Sequence, residues 1–136
     1  ANSLAVVDEP SSKGTGNEVD MEQILNWNPD VILFAPNSIY STVAANENWQ
    51  TITAIKEGKY YEVPFGPYNW MGFPPSVQRL LGMQWMAAVL YPDAVDYDMY
   101  EAASAYFELF YHCELTEAQF AALTANSLPA DTQMAA

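Results

Sequence analysis

Residues Asp20 to Ala35 constrain this chain more than any other stretch. Asp20-Met-Glu-Gln-Ile-Leu-Asn-Trp-Asn-Pro-Asp30 runs at once into Val31-Ile-Leu-Phe-Ala35. Asp20 is placed to cap a helix and Gln23 to complete a capping box. Met21, Ile24 and Leu25 share one face, and Asn28-Pro29 stops the helix before the apolar run. A short capped helix, a stop and a buried strand make half of an α/β crossover unit.

The rest of the chain continues in that grammar. Ser3 to Val7 reads as a short strand and Asp8 to Asn17, with Pro10 and two glycines, as a surface loop. Pro36-Asn37-Ser38 turns at the carboxyl end of the strand Val31 to Ala35, where open α/β sheets bind ligands. Trp49, Ile52 and Ile55 at three-residue spacing predict a helix. Gly58 stands where a left-handed cap is wanted, and Lys59 to Val63 predicts a second strand. From Pro64 to Pro75 there are four prolines, two glycines and the rings of Phe65, Tyr68, Trp70 and Phe73, a composition that allows neither helix nor regular strand.

Val77, Leu81, Trp85 and Ala88 then repeat at helical spacing up to Tyr91-Pro92. The next helix is strongly amphipathic. Met99, Ala102, Ala103, Tyr106, Phe107, Phe110 and Tyr111 lie on one face; Asp98, Glu101, Ser104 and Glu108 lie on the other. Thr116 with Gln119 caps a last helix bearing Phe120 and Leu123. Such alternation predicts a parallel sheet covered on both faces through right-handed crossovers. We therefore expect one domain over residues 1–127, a three-layer α/β/α lobe with a small, mostly parallel sheet and a helical C-terminal half, and a disordered tail over 128–136.

At 136 residues the chain can bury a core without staples. Seventeen acidic residues against four basic ones give a formal charge of −13, which argues against nucleic acid or an anionic membrane as partner. No apolar run approaches the ~18 residues of a transmembrane helix. The acids are scattered rather than set at metal-ligand spacing, so no metal centre and no cofactor is expected. His112 and Cys113 are the only residues of their kinds. Being adjacent on a helix they point apart and form no dyad. A helix-end histidine and a buried structural thiol are their readings, with a haem or iron ligand the functional alternative for His112. Lys13-Gly-Thr-Gly16 has the small residues of an anion nest but not the spacing of a phosphate loop. No catalytic set emerges, and we expect no enzyme.

Functional interest settles on the aromatic loop. Tyr68, Asn69 and Trp70, stiffened by prolines, offer rigid walls with polar tips for a bulky planar or chelate ligand. The same rings could instead hold the loop to the core. Asn37, Ser38 and Tyr40 follow from the first strand-end loop. Arg79, one turn into its helix, reads as an ion-pair partner or as a ligand-facing base.

Taken in order, the acidic helix before Asn28-Pro-Asp30, the pattern from Trp49 to Val63, the loop Pro67-Tyr-Asn-Trp70 and the helix Leu80 to Leu90 ending in Tyr91-Pro92 resemble a known family. It is the C-terminal lobe of class III, helical-backbone substrate-binding proteins of ABC importers for ferric siderophores, haem and cobalamin. The resemblance spans roughly Asn2 to Leu123. It implies an extracytoplasmic protein, periplasmic or lipid-anchored, that binds a metal chelate between two lobes. The N-terminal lobe, connecting helix and export signal would lie upstream of Ala1. Tyr68, Trp70, Asn69, Asn37, Ser38 and Tyr40 would face the cleft, and Glu22 would dock into arginines of an ABC permease. A binding protein for a metal ion or oxyanion, and a stand-alone flavodoxin-like enzyme or regulatory domain, are the alternatives.

Overall fold

The computed structural model describes residues 18–72 and 74–129. The strand expected over Ser3 to Val7, the loop over Asp8 to Asn17 with Lys13-Gly-Thr-Gly16, Phe73 and most of the expected tail lie outside them.

Two strands, β1 (Ile32–Phe34) and β2 (Tyr60–Glu62), pair in parallel with Ile32 opposite Tyr60, Leu33 opposite Tyr61 and Phe34 opposite Glu62. Both are one residue shorter at each end than the apolar runs suggest. Hydrogen bonds nevertheless continue past them, from the Ile32 amide to the Lys59 carbonyl (3.1 Å) and from the Val63 amide to the Phe34 carbonyl (2.8 Å).

Because side chains alternate along a strand, the pair divides the core in two. Ile32, Phe34 and Tyr60 pack into one cluster with Met21, Val43, Trp49, Ile52 and Ile55. The partners come from α1 (Met21–Trp27), α2 (Tyr40–Val43), a 3₁₀ turn (Trp49–Thr51), α3 (Thr53–Lys56) and Ile52 between the last two. Leu33, Tyr61 and Val63 pack into a second cluster with Trp70, Leu81, Trp85, Ala103 and Phe107. That layer is built by α4 (Gln78–Leu90), α5 (Met99–Tyr111) and α6 (Glu117–Thr124). The result is an α/β lobe with helices on both faces of a small parallel sheet and a helical C-terminal half.

The capping signals describe real geometry. The Gln23 amide donates to the Asp20 carboxylate (2.8 Å) and the Asp20 amide to the Gln23 side chain (3.0 Å). A reciprocal cap of this kind is worth about 1 kcal/mol. Asn28 ends α1 in the left-handed region at φ 38°. Its side chain then bonds Thr53 twice, at 2.9 Å each, and so supplies the cap that Ile52 cannot give α3. Thr116 and Gln119 form the second capping box, at the start of α6.

Five details differ from the sequence reading. Leu25 is exposed, since a helix of two turns turns only Met21 and Ile24 toward the sheet. The segment from Trp49 to Ile55 is not one helix. Ile52 is extended (φ −78°, ψ 133°) and divides it into a 3₁₀ turn and a short α-helix. Val77 lies before α4 and is exposed, and Phe110 is exposed on α5. Asp98 caps α5 by accepting from the Glu101 amide (2.8 Å) instead of lining its polar face.

The aromatic loop is held on α4 by close contact. Trp70 is 1 % exposed, and its indole N–H donates to the Gly66 carbonyl (3.1 Å). A Cβ at Gly82 would lie 2.2 Å from the Trp70 carbonyl oxygen, so only glycine admits this approach. Buried Gln78 donates its side-chain amide to the Pro74 carbonyl, closing the loop onto the start of the helix. We predict that Gly82→Ala lowers stability by about 1–3 kcal/mol in denaturant unfolding, although alanine is the better helix former. An unchanged or raised midpoint would show that the loop does not rest on α4.

Candidate functional site

Both strands end on the same side of the sheet, and the loops that leave them converge there. After β1, Asn37 adopts the left-handed region (φ 59°) and donates its backbone N–H to the Glu62 carboxylate (3.1 Å). The second carboxylate oxygen of Glu62 accepts from the Asn126 amide (3.3 Å). The Glu62 backbone is held as well, its N–H by the Asn126 carbonyl (2.8 Å) and its C=O by the Ser127 hydroxyl (2.5 Å). The Ser127 carbonyl accepts the Trp85 indole N–H (2.7 Å) from α4. Glu62 therefore joins the β1 loop, β2 and the turn after α6 at one point.

These groups surround a cavity of about 250 Å³ lined by Asn37, Glu62, Phe65, Leu123, Asn126 and Ser127, among others. Beyond Leu123 lies a broader, mainly apolar depression of about 560 Å³ with Pro67, Tyr68, Tyr111, Leu115 and Gln119 in its walls. Tyr68 is 50 % exposed on its rim. Leu123 borders both spaces, and a Cβ at Gly66, in the wall of the second, would press on the Leu123 side chain at 3.2 Å. Loop, α6 and strand ends thus form one continuous surface.

The six residues expected to face a ligand divide into four groups. Asn37 and Tyr68 line the two depressions. Ser38 is exposed beside Asn37, its amide closing the turn onto the Ala35 carbonyl (3.3 Å). Tyr40 is half-buried against Phe34 and Tyr60, at ring-centroid distances of 6.0 and 5.4 Å. Burial first, and then Tyr60, Glu62 and Tyr61, raise its pKa above the ordinary phenol value. Trp70 and Asn69 hold the loop together. Trp70 is in the core, and the Asn69 side-chain oxygen accepts from the amides of Met71 (2.9 Å) and Gly72 (2.7 Å).

Arg79 is exposed on the first turn of α4 and makes no ion pair with a described residue; the described pair is Lys59–Glu57. Glu22 stands exposed in the first turn of α1, free of the cap that occupies Asp20 and Gln23. His112 ends α5 in the left-handed region at φ 53°. Cys113, expected to be buried, is exposed because that turn carries the chain off the helix on its solvent side. Among the described residues no group of three or more His, Cys, Asp or Glu is placed to hold a metal ion, and no helix is long and apolar enough to cross a membrane.

Sequence reasoning missed Glu62, Asn126 and Ser127. Glu62 carried a usable signal, an acid at the carboxyl end of a predicted strand. Asn126 and Ser127 carried none, because their partner lies more than 60 residues away.

Known proteins are similar to this chain in sequence and in fold. Residues 3–66 match the periplasmic binding protein family. The molybdate-binding protein MolA of Haemophilus influenzae is 31% identical over 97 residues, 69% of this chain and 27% of MolA. A solved ABC transporter solute binding protein from Sulfurospirillum deleyianum superposes with a TM-score of 0.76 at 34% identity, over 80% of this chain and 34% of that one. A periplasmic solute binding protein from Veillonella parvula gives 0.74 at 29% identity, over 86% and 37%. The structure of MolA bound to molybdate gives 0.61 at 30% identity, over 74% and 32%. This chain therefore spans about a third of the length of the solved relatives it matches. From residue 3 to 66 the sequence is similar to the periplasmic binding protein family, and over four fifths of its length the fold is similar to that of an ABC transporter solute-binding protein.

Proposed function

We propose that this chain is the C-terminal lobe of an extracytoplasmic solute-binding protein that delivers a tetrahedral oxyanion of the molybdate type to an ABC permease. The observation that carries the ligand class is the 97-residue match to MolA. The protein binds and releases its solute without chemistry. Glu22, exposed and near the positive end of α1, is the docking carboxylate of this lobe.

An oxyanion needs convergent hydrogen-bond donors more than it needs bases. Neutral donors that are already oriented satisfy the anion's oxygens at small entropic cost. The Asn37 side chain, the Ser38 hydroxyl and the Tyr68 hydroxyl stand at the strand-end surface for this role, and Arg79 is a base without a described ion-pair partner. The remaining donors come from the part of the protein beyond this sequence. Glu62 has the opposite sign to a helpful group. Its carboxylate holds Asn37 in place while opposing an anion electrostatically.

A second reading is favoured by one feature. The apolar depression beneath Tyr68 suits the organic scaffold of an iron chelate, haem or corrinoid better than a bare oxyanion. Calorimetric titration and thermal unfolding of the full-length protein decide between them. We expect molybdate or tungstate at ~100 times Kd to add about 2.7 kcal/mol of stability. Stabilisation by ferric siderophore, haem or cobalamin alone would replace the oxyanion reading with the chelate one.

The dual role of Glu62 gives a further expectation. Glu62→Gln keeps an oxygen for the Asn37 amide but removes the charge, and we expect molybdate to bind about tenfold tighter. Glu62→Ala releases the Asn37 loop, and we expect weaker binding by about the same factor together with faster amide exchange at Asn37. Equal affinities in all three proteins would remove Glu62 from the site.

A further inference from the structure

Glu62 is a charged acceptor fixed in the wall of the polar cavity. It is half-buried there, one carboxylate oxygen accepting from the Asn37 backbone amide (3.1 Å) and the other from the Asn126 side-chain amide (3.3 Å). The residue cannot withdraw, because its N–H is held by the Asn126 carbonyl (2.8 Å) and its C=O by the Ser127 hydroxyl (2.5 Å). No described lysine, arginine or histidine lines the cavity, and the described ion pair, Lys59–Glu57, leaves Glu62 out.

An ionised carboxylate only accepts hydrogen bonds, and a tetrahedral oxyanion without a proton does the same. Each Glu62 oxygen keeps a lone pair beyond the one its amide donor uses. An anion drawn toward Asn37 therefore brings an acceptor against an acceptor, and like charges sharing a site favour the protonated form of one of them. A single proton turns that conflict into a hydrogen bond.

We infer that the lobe takes up its oxyanion together with one proton, held between the Glu62 carboxyl and an oxygen of the anion. The proton comes from solvent. One O–H bond forms, on the carboxyl or on the anion, no other covalent bond changes, and the complex carries one negative charge fewer. Proton uptake at this point rests on the oxyanion reading of the site, to which it adds a second ligand.

The surroundings leave the proton to this pair. β1 places Phe34 opposite Glu62, the aromatic loop brings Phe65, and α6 with its following turn brings Leu123, Asn126 and Ser127, none of which titrates. From α2 comes Tyr40, and β2 itself carries Tyr60 and Tyr61. Phenols ordinarily ionise at about pH 10, and burial is the first cause that raises Tyr40 and Tyr61 above that value. A carboxylate is thus the one described group at the cavity whose protonation an anion can shift between about pH 5 and about pH 7.5. The affinity gained with the proton is present at low pH and is lost as pH rises.

The test is titration calorimetry of the full-length protein with micromolar molybdate, in pairs of buffers that differ in ionisation enthalpy, at about pH 7.5 and about pH 5. We expect binding about threefold tighter at the lower pH, with about half a proton taken up per anion there. Glu62→Gln keeps an oxygen for the Asn37 amide and should hold one affinity at both pH values with no uptake, so that its about tenfold advantage shrinks to about fourfold as pH falls. Binding of molybdate that ignores pH and buffer would overturn the proton and leave the oxyanion reading standing. Uptake that persists in Glu62→Gln would also overturn it, by placing the proton on another group. No molybdate binding by either protein at either pH would remove the oxyanion reading and the proton with it.

Discussion

Everything in this lobe hangs on six residues that pair in parallel and are covered on both faces. Ile32–Phe34 and Tyr60–Glu62 are too short to be stable as a free pair, and parallel strands cannot be joined by a tight turn. The intervening chain must cross over, which places α2, the 3₁₀ turn and α3 on one face. The other face is then open for the C-terminal helices, with Trp85 and Leu81 of α4 fully buried against it. Pairing and coverage support each other: without the two helical layers the strands have no reason to meet, and without the strands the layers have no common floor.

The same constraint builds the site. Parallel strands bring their carboxyl ends together on one side, so the loops after β1 and β2 emerge next to each other although about 25 residues separate them. Glu62 fixes that proximity through the Asn37 amide, and the Asn126–Ser127 turn locks the last helix to the same point. The network continues through Ser127 to Trp85, and from α4 to the aromatic loop through the contact of Gly82 with Trp70. Both strand-end loops are thereby referred to one helix, the arrangement that positions donors without a large ordering cost on binding.

Local signals in the sequence were read well because they rest on short-range physics. The Asp20–Gln23 and Thr116–Gln119 boxes, the left-handed Gly58 and the stop at Asn28-Pro29 need only neighbours a few residues away. Three-residue spacing at Trp49, Ile52 and Ile55 identified the buried face but not the break at Ile52, because α and 3₁₀ periods are indistinguishable over seven residues. In the site, Tyr68 and Trp70 looked alike in sequence. Only the packing of Trp70 against a glycine on α4 separates the ring that anchors the loop from the ring that borders the depression. Glu62 stood at the carboxyl end of a predicted strand, but its partners at positions 37, 126 and 127 were hidden, because no periodicity connects them to it.

The central claim, that the strand-end loops of this lobe form one wall of an oxyanion cleft, is tested most directly by locating the bound element. Crystals of the full-length protein grown with molybdate, measured at the molybdenum absorption edge, would reveal the metal by its anomalous signal. The account predicts a single strong peak against the surface of Asn37, Ser38 and Tyr68 and facing the rest of the protein. A peak remote from these loops, or none in crystals that bind a ferric chelate at the same surface, would contradict it.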